Sequence, residues 1–164
     1  MNWDGRRRKP PRSVVFIAFE NRAIWLDDNF PIWQMVMRRR RVWARELKAW
    51  HGVHYLLCGD IEPGSAIPSQ AVMGGVELGE DLGYGPARYF ETGKVNQIAQ
   101  ALSAANLEAE MIARFDPVKM TSLGIYPGGW NAGNVNWLMG EFRRLRQFYT
   151  DASAAKLAIA TSLE

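Results

Sequence analysis

The apolar segments of this chain are short, and their order along the sequence constrains the fold more than any other feature. Runs of strand-forming residues occur near both ends and in the middle, separated by glycine- and proline-rich breaks. The predicted strands span residues 13–19, 71–73, 76–78, 87–90 and 156–161. Because these strands do not alternate strictly with helical segments, the sequence predicts an α+β fold, a single compact domain in which short β-strands form a small mixed sheet packed with several α-helices.

Two segments carry the clearest helical periodicity. The first has residues of one face at spacings of four, three, four and three, namely Trp43, Leu47, Trp50, His54 and Leu57. Gly59 is suited to end this helix, and Gly52 inside it predicts a kink or close packing, since glycine costs about 1 kcal/mol there relative to alanine. The second begins at Asn134, and its apolar stripe comprises Val135, Leu138, Phe142, Leu145 and Phe148. Shorter helices are predicted after Thr92, Asn106 and Asp116, residue types that commonly cap helix N-termini.

The positive charge of the chain is concentrated in its N-terminal third. Residues 1–48 carry a net charge of +7, whereas the remainder carries −4. Residues 1–12 combine this charge with a Pro-Pro break and no apolar period, so we expect a flexible basic arm followed by a single domain over residues 13–164. No stacking aromatic array or known nucleic-acid module accompanies the basic runs, so we expect that nucleic acid is not a partner.

Membrane and export signals are missing from the sequence pattern. No apolar run approaches the ~18 residues that a membrane helix needs. The apolar run after the basic start is shorter than the apolar core of a signal peptide and meets Glu20 at once. A single cysteine, Cys58, precludes an internal disulfide and suits a reducing compartment. The sequence therefore predicts a cytoplasmic protein with no membrane partner.

Most residues capable of site chemistry fall in two blocks, residues 48–59 and 77–90. The first block, Lys-Ala-Trp-His-Gly-Val-His-Tyr-Leu-Leu-Cys-Gly, holds both histidines. The second holds a carboxylate cluster and the string Asp-Leu-Gly-Tyr-Gly-Pro-Ala-Arg at residues 81–88. Later segments add Arg-Phe-Asp-Pro at 114–117, then Ile-Tyr-Pro at 125–127 and Trp130.

In order and spacing these motifs resemble those of the YfbM-like family, a group of uncharacterised bacterial proteins that share a domain of unknown function. The resemblance extends over about residues 46–152 and includes a Gly-Gly segment at residues 74–75. It implies a compact cytoplasmic α+β domain. It implies no reaction, because the family carries no established catalytic assignment.

The two histidines are three residues apart, so a helix places them on roughly the same side. This spacing is compatible with two metal ligands, and Glu77, Glu80 or Asp81 could supply a third. His54, however, lies on the apolar stripe, which favours a core histidine, while His51 at the edge of the stripe is the better candidate for a pocket or acid–base role. We therefore expect neither a metal nor another cofactor.

Cys58 follows His54 by four residues, a spacing that would allow a thiolate–imidazole contact for nucleophilic catalysis. Members of the family that the motifs resemble commonly carry a hydroxyl residue at this position. That variation favours a buried bystander over a nucleophile.

The turn at residues 81–88 is the sharpest local signal for a site. Gly83 and Gly85 permit positive φ values, and the turn could hold Tyr84 outward as a stacking or hydrogen-bonding group. Arg88 could bind a carboxylate or phosphate. The alternative is a rigid connector in which Arg88 pairs internally with Asp81 or Glu77.

A second glycine-rich loop, residues 126–130, carries two aromatic residues. It could form the facing wall of a pocket, or the two aromatic side chains could cap the core. The predicted pocket comprises His51, His54, Glu77, Asp81, Tyr84, Arg88, Tyr126 and Trp130.

Three functions are compatible with this set of residues. The first is a binding module for a small anionic ligand. The second is a protein-interaction role of the immunity type, such as neutralising a toxin or effector. The third is a hydrolase or transferase that uses His51 with Glu77 or Asp81 as an acid–base pair. The sequence leaves open whether the protein is an enzyme and which oligomeric state it has.

Overall fold

The computed structural model describes residues 14–20, 41–81 and 84–163 of the chain. Within these residues one sheet contains five strands in the order β2-β1-β5-β4-β3. The strands are β1 (Val14–Glu20), β2 (Arg41–Leu47), β3 (Val76–Leu78), β4 (Ala87–Phe90) and β5 (Leu157–Leu163). Each described pairing is antiparallel, whereas the sequence had predicted a mixed sheet.

Six helices accompany the sheet in the described part of the chain. They are α1 (Trp50–Cys58), α2 (Gln70–Met73), α3 (Thr92–Leu102), α4 (Leu107–Arg114), α5 (Pro117–Ser122) and α6 (Asn134–Ala154). The predicted α+β class is therefore confirmed. Helix α6 packs against α1, α3 and β5, so it links the sheet to the other helices.

Helix α6 forms as its periodicity predicts. Leu138, Phe142 and Leu145 of its stripe are fully buried, and Phe148 is nearly so. Outside the stripe, Arg143 and Arg146 both form ion pairs with Glu108 of α4, which ties the two helices together at the surface. Burial of the apolar face, rather than intrinsic propensity, supplies most of the stability of such a helix.

Of two predicted helix starts, one is observed at the predicted residue and the other is displaced by one residue. Asp116 caps α5, because its carboxylate accepts hydrogen bonds from the backbone N–H groups of Val118 and Lys119, each at 3.0 Å. Thr92, predicted as a cap, is instead the first residue of α3, and Glu91 occupies the cap position. A difference of one residue is within the usual uncertainty of helix ends.

The prediction of a helix from about Trp43 onward is wrong for the residues that precede Trp50. Residues 41–47 form strand β2, which pairs with β1 in a register that places Val14 opposite Leu47. A spacing of four between Trp43 and Leu47 equals two strand periods, so it fits a strand face as well as a helix face. Helix α1 begins at Trp50 and ends as predicted at Gly59, which has a φ of 77°.

The predicted strand at residues 71–73 is also wrong, because this segment forms the single helical turn α2. The turn closes through a 2.8 Å hydrogen bond from the Gly74 N–H to the Gln70 carbonyl. A three-residue apolar run carries too little periodicity to separate a strand from a helical turn. A tertiary contact favours the helical turn here. The buried hydroxyl of Tyr149 donates a hydrogen bond to the Ala71 carbonyl at 2.8 Å and holds α2 against α6.

Gly52 is a site of close packing, and this confirms one of the two roles that were predicted for it. A Cβ atom there would lie 2.7 Å from Cδ2 of Leu138 and 2.9 Å from the Trp130 ring. The absence of a side chain therefore lets α1 approach α6 closely. Around this junction the buried apolar residues from β1 to β5 form one core cluster.

Residues 1–12, predicted as a flexible basic arm, lie outside the described residues, as do residues 38–40 of the second basic run. Among the helices that the structure describes, none combines the length and the apolar character needed to cross a bilayer.

Candidate functional site

His51 connects helix α1 to the loop that precedes α6. Its Nδ1 accepts a hydrogen bond from the backbone N–H of Tyr126 at 3.0 Å, and its ring stacks on Trp50 with centroids 4.6 Å apart. Burial lowers the pKa of His51 from 6.5 to about 4. At neutral pH the imidazole is therefore uncharged, and because Nδ1 is an acceptor, the ring proton resides on Nε2.

Trp130 belongs to the core rather than to an open wall. Its indole N–H donates to the Ile125 carbonyl at 2.8 Å, and its ring stacks on Trp137 with centroids 6.2 Å apart. Tyr126 is half-buried and packs against the core cluster. The aromatic loop thus caps the core beside His51.

His54 is fully buried, next to Cys58. The Cys58 Sγ lies 3.5 Å from Nδ1 of this histidine and donates to the Ser69 carbonyl, also at 3.5 Å. Burial, followed by the proximity of His51, lowers the pKa of His54 to about 4. Burial also raises the pKa of the Cys58 thiol. A protonated thiol beside a neutral imidazole is not an activated nucleophile.

No group of three or more His, Cys, Asp or Glu side chains is arranged to bind a metal ion, within the residues that the structure describes. His51 and His54 differ in environment, since His51 accepts from a backbone amide and His54 contacts a thiol. Both therefore act as packing and hydrogen-bonding groups in this structure.

Glu77, Arg88 and Thr161 form a row across three neighbouring strands. Arg88 of β4 lies directly opposite Glu77 of β3 on one side and Thr161 of β5 on the other. Residues that face each other in this way share one face of the sheet. The Arg88 Nη2 donates to Glu77 Oε1 at 2.7 Å, so of the two internal partners foreseen for this arginine the structure shows Glu77.

Asp81 closes the turn that leads into β4. Its Oδ1 accepts a hydrogen bond from the Gly85 N–H at 2.8 Å. Gly85 has a φ of 100°, a conformation that L side chains rarely adopt, which explains the glycine at this position. Tyr84, between them, is half-buried. Gly83, the other glycine predicted to permit a positive φ, lies outside the described residues.

A small hollow opens beside this turn. Its lining includes Met73 of α2, Tyr84 and Pro86 of the turn, Arg88 of β4, and Thr161 and Ser162 of β5. The hollow has a volume of about 30 Å³. That volume suits one or two water molecules or a head group of a few atoms, and it is far smaller than the ~300 Å³ or more of a typical drug-sized site.

Ser162, the next residue of β5, carries its side chain on the face of the sheet opposite to Thr161 and Arg88, because successive side chains of a strand alternate. The residue is only 5% exposed, and its Oγ has no hydrogen-bond partner among the described residues. A buried hydroxyl left without a partner costs about 1–3 kcal/mol. Because it faces the other side of the sheet, this hydroxyl lies outside the hollow, whose polar lining includes Arg88 and Thr161.

Thr161 and Ser162 were not predicted as site residues. The signal that could have found them is a pair of adjacent hydroxyl residues in the otherwise apolar strand β5. Buried polar side chains are normally paired, so a polar pair within a buried strand indicates a special environment.

The predicted pocket residues therefore fall into two groups. Tyr84 and Arg88 line the hollow, with Glu77 bonded to Arg88 and Asp81 bonded to the same turn. The other four surround helix α1 and are absent from the described lining of the hollow: His51, His54, Tyr126 and Trp130.

The antiparallel sheet and the helices that cover it make this an α+β protein. Residues 35–162 match the model of the family described as "Domain of unknown function (DUF1877)", and the chain belongs to this family. The resemblance to the YfbM-like family that the motifs carry is thereby confirmed.

A solved structure shares this fold. YfbM from Escherichia coli, a protein of unknown function, superposes with a TM-score of 0.69 at 20% sequence identity, over 93% of this chain and 99% of that chain. At this identity the likeness shows the fold alone. No curated protein matches the sequence.

Proposed function

We propose that this protein is a binding module whose site is the hollow beside the turn before β4, and that its ligand is small and anionic. The observation that carries the proposal is the Thr161 hydroxyl in a lining that also contains the Arg88 guanidinium, with both residues on one face of the sheet. One group supplies a hydrogen bond and the other a positive charge.

Arg88 retains donors for such a ligand. A guanidinium has five N–H groups, and among the described residues Glu77 is the hydrogen-bond partner of this arginine. Hydrogen bonds from a guanidinium to an anion are charge-assisted and therefore stronger than those between neutral groups. The volume of the hollow limits the bound group to a few non-hydrogen atoms.

Arg88→Ala tests the proposal, with acetate and inorganic phosphate as the probe anions. Chemical shifts of the backbone amides and thermal unfolding are followed as each anion is added at constant ionic strength. We expect saturable shifts around the hollow in the original protein and their loss in the variant.

Arg144→Ala is the matched control, because Arg144 forms an ion pair with Glu141 on α6, away from the hollow. This control is expected to bind the probes unchanged. Retained binding in Arg88→Ala would overturn the proposal, and serious unfolding of that variant would assign Arg88 to structure.

One observation supports the alternative of a protein-interaction role. Trp137, stacked on Trp130, remains 40% exposed, and Val118 is 80% exposed. Tryptophan is enriched among the residues that dominate binding energy at interfaces. A pull-down from the source cell at low salt, repeated with Trp137→Ala, tests this role, and recovery of nothing above background would count against it.

The acid–base alternative receives less support. His51 already uses Nδ1 to accept the Tyr126 N–H, and its lowered pKa makes it a weak base at neutral pH. Glu77, its proposed carboxylate partner, is bonded to Arg88.

We also propose that residues 13–164 form one domain and that the protein is a bacterial one that acts in the cytoplasm. The single core cluster, which draws on β1 and β5 alike, supports the domain assignment. The lone cysteine supports a reducing compartment.

A further inference from the structure

We infer that Glu77 is a built-in competitor for the ligand, which is a short monocarboxylate that replaces the Glu77 carboxylate on Arg88. This inference rests on the proposed function and narrows it to a ligand class and a mode of binding. Binding is then an exchange of one carboxylate for another on the same guanidinium.

The geometry of the ion pair shows that Arg88 already holds a carboxylate. The Arg88 Nη2 donates to Glu77 Oε1 at 2.7 Å, the distance of a good charge-assisted hydrogen bond. The Glu77 side chain is 60% exposed and that of Arg88 only 30%. The glutamate can therefore rotate into solvent while the arginine stays beside the hollow.

The remainder of the hollow selects the rest of the ligand. Met73, Pro86 and Leu163 give the lining an apolar part, and Thr161, on the same face of the sheet as Arg88, gives it a hydroxyl. The hollow has about 30 Å³ and takes roughly a methyl group, so the carboxylate lies at its mouth on Arg88 and a tail longer than that of acetate does not fit inside.

Glu77 belongs to the same molecule as Arg88, and its competition for the guanidinium lowers the apparent affinity of the ligand. A tethered carboxylate acts at an effective concentration that a free ligand must exceed. Exposed ion pairs nevertheless contribute little, so the exchange is accessible to a ligand of ordinary affinity. Removing the Glu77 charge frees the guanidinium and removes repulsion from the incoming anion. We expect binding to become about fivefold tighter, the equivalent of the strongest exposed ion pairs.

Glu77→Gln is the test, since it keeps the size of the side chain and removes its charge. Glu80→Gln is its control, because Glu80 is exposed in the same acidic segment and forms no ion pair with the described residues. The original protein and both variants are titrated with acetate and butyrate, and with inorganic phosphate for comparison. Ionic strength is held constant with sodium chloride, and the backbone amide shifts of Gly85, Arg88 and Ser162 report binding.

The outcomes separate the inference from the proposed function. Tighter carboxylate binding in Glu77→Gln but not in Glu80→Gln supports the exchange. Equal gains in both variants would show a general charge effect and overturn it. Binding by the original protein without any gain in Glu77→Gln would overturn the exchange while leaving the anion site in place. Absence of binding by every protein would overturn both.

Discussion

The Nδ1 atom of His51 accepts a hydrogen bond from the backbone N–H of Tyr126, a residue 75 positions further along the chain, at 3.0 Å. This bond fastens helix α1 to the loop that enters α6. A protonated imidazole has no acceptor nitrogen, so the bond exists only while His51 is neutral. This link between α1 and the loop therefore depends on the ionisation of His51.

Stability is expected to fall as the pH drops below about 6.5. Burial lowers the pKa of both His51 and His54 from 6.5 to about 4, so between these values the unfolded chain binds more protons than the folded one. Stability then decreases with falling pH through this window and levels off near pH 4. Between pH 7 and pH 5 the loss is about 2 kcal/mol per histidine, measurable by urea unfolding.

His51→Asn isolates one of the two histidines. Its amide oxygen can take the place of Nδ1 as acceptor without titrating, so about half of the pH dependence between pH 7 and pH 5 should disappear. An unchanged pH dependence would show that His51 is not protonated on unfolding in this range.

Gly52→Ala is expected to destabilise the protein, although alanine favours helices. The added Cβ would lie 2.7 Å from Leu138 and 2.9 Å from Trp130, so these two buried side chains must shift. Overpacking of this kind costs about 1–3 kcal/mol. The free energy of unfolding from urea titration provides the measurement.

Gly140→Ala is the control for this substitution. Gly140 lies inside α6, and a Cβ there would meet nothing within 4 Å. It should therefore stabilise the protein by about 0.5–1 kcal/mol through helix propensity alone. If both variants were stabilised, the close approach at Gly52 would be refuted.

Ser162→Ala is expected to leave stability unchanged or to raise it by about 1 kcal/mol, because it removes a buried hydroxyl without breaking a bond between described residues. Ser69→Ala is the comparison. The Ser69 hydroxyl is equally buried and lies 2.8 Å from the Gly64 carbonyl, so this change should cost about 1 kcal/mol. Equal losses in both variants would mean that Ser162 has a partner.

Cys58 is expected to react slowly with iodoacetamide in the folded protein. Burial raises the pKa of its thiol, and only the thiolate is nucleophilic. Mass spectrometry of the native and urea-unfolded protein at pH 8 should show much faster modification after unfolding. Fast labelling of the native protein would instead indicate an activated thiol and would support a catalytic role for Cys58.

Sequence periodicity predicted the elements that bury a wide apolar stripe. Helix α6 was recognisable because its stripe continues for four turns, which no strand pattern imitates. Strand β2 was mistaken for a helix because Trp43 and Leu47 satisfy both periods. Its pairing with β1, a contact between chain segments more than twenty residues apart, decides between the two.

The site was predictable only where its partners are close in sequence. Arg88 and Glu77 share one short hairpin, so their pairing could be foreseen. The hollow brings Thr161 of β5 beside the turn before β4 and α2, more than seventy residues earlier, and no local pattern encodes this arrangement. The hydrogen bond between His51 and Tyr126 could not be predicted either, because these two residues are also far apart in the sequence.

Strand β5 lies between β1 and β4, although it is the last of the five described strands to be synthesised. Until residues 157–163 leave the ribosome, the pairs β2-β1 and β4-β3 have no strand to join them. Both inner edges then present bare backbone N–H and C=O groups that could pair with another chain. A nascent chain stalled before this point is consequently expected to be prone to aggregation, and completion of the sheet coincides with the arrival of its central strand.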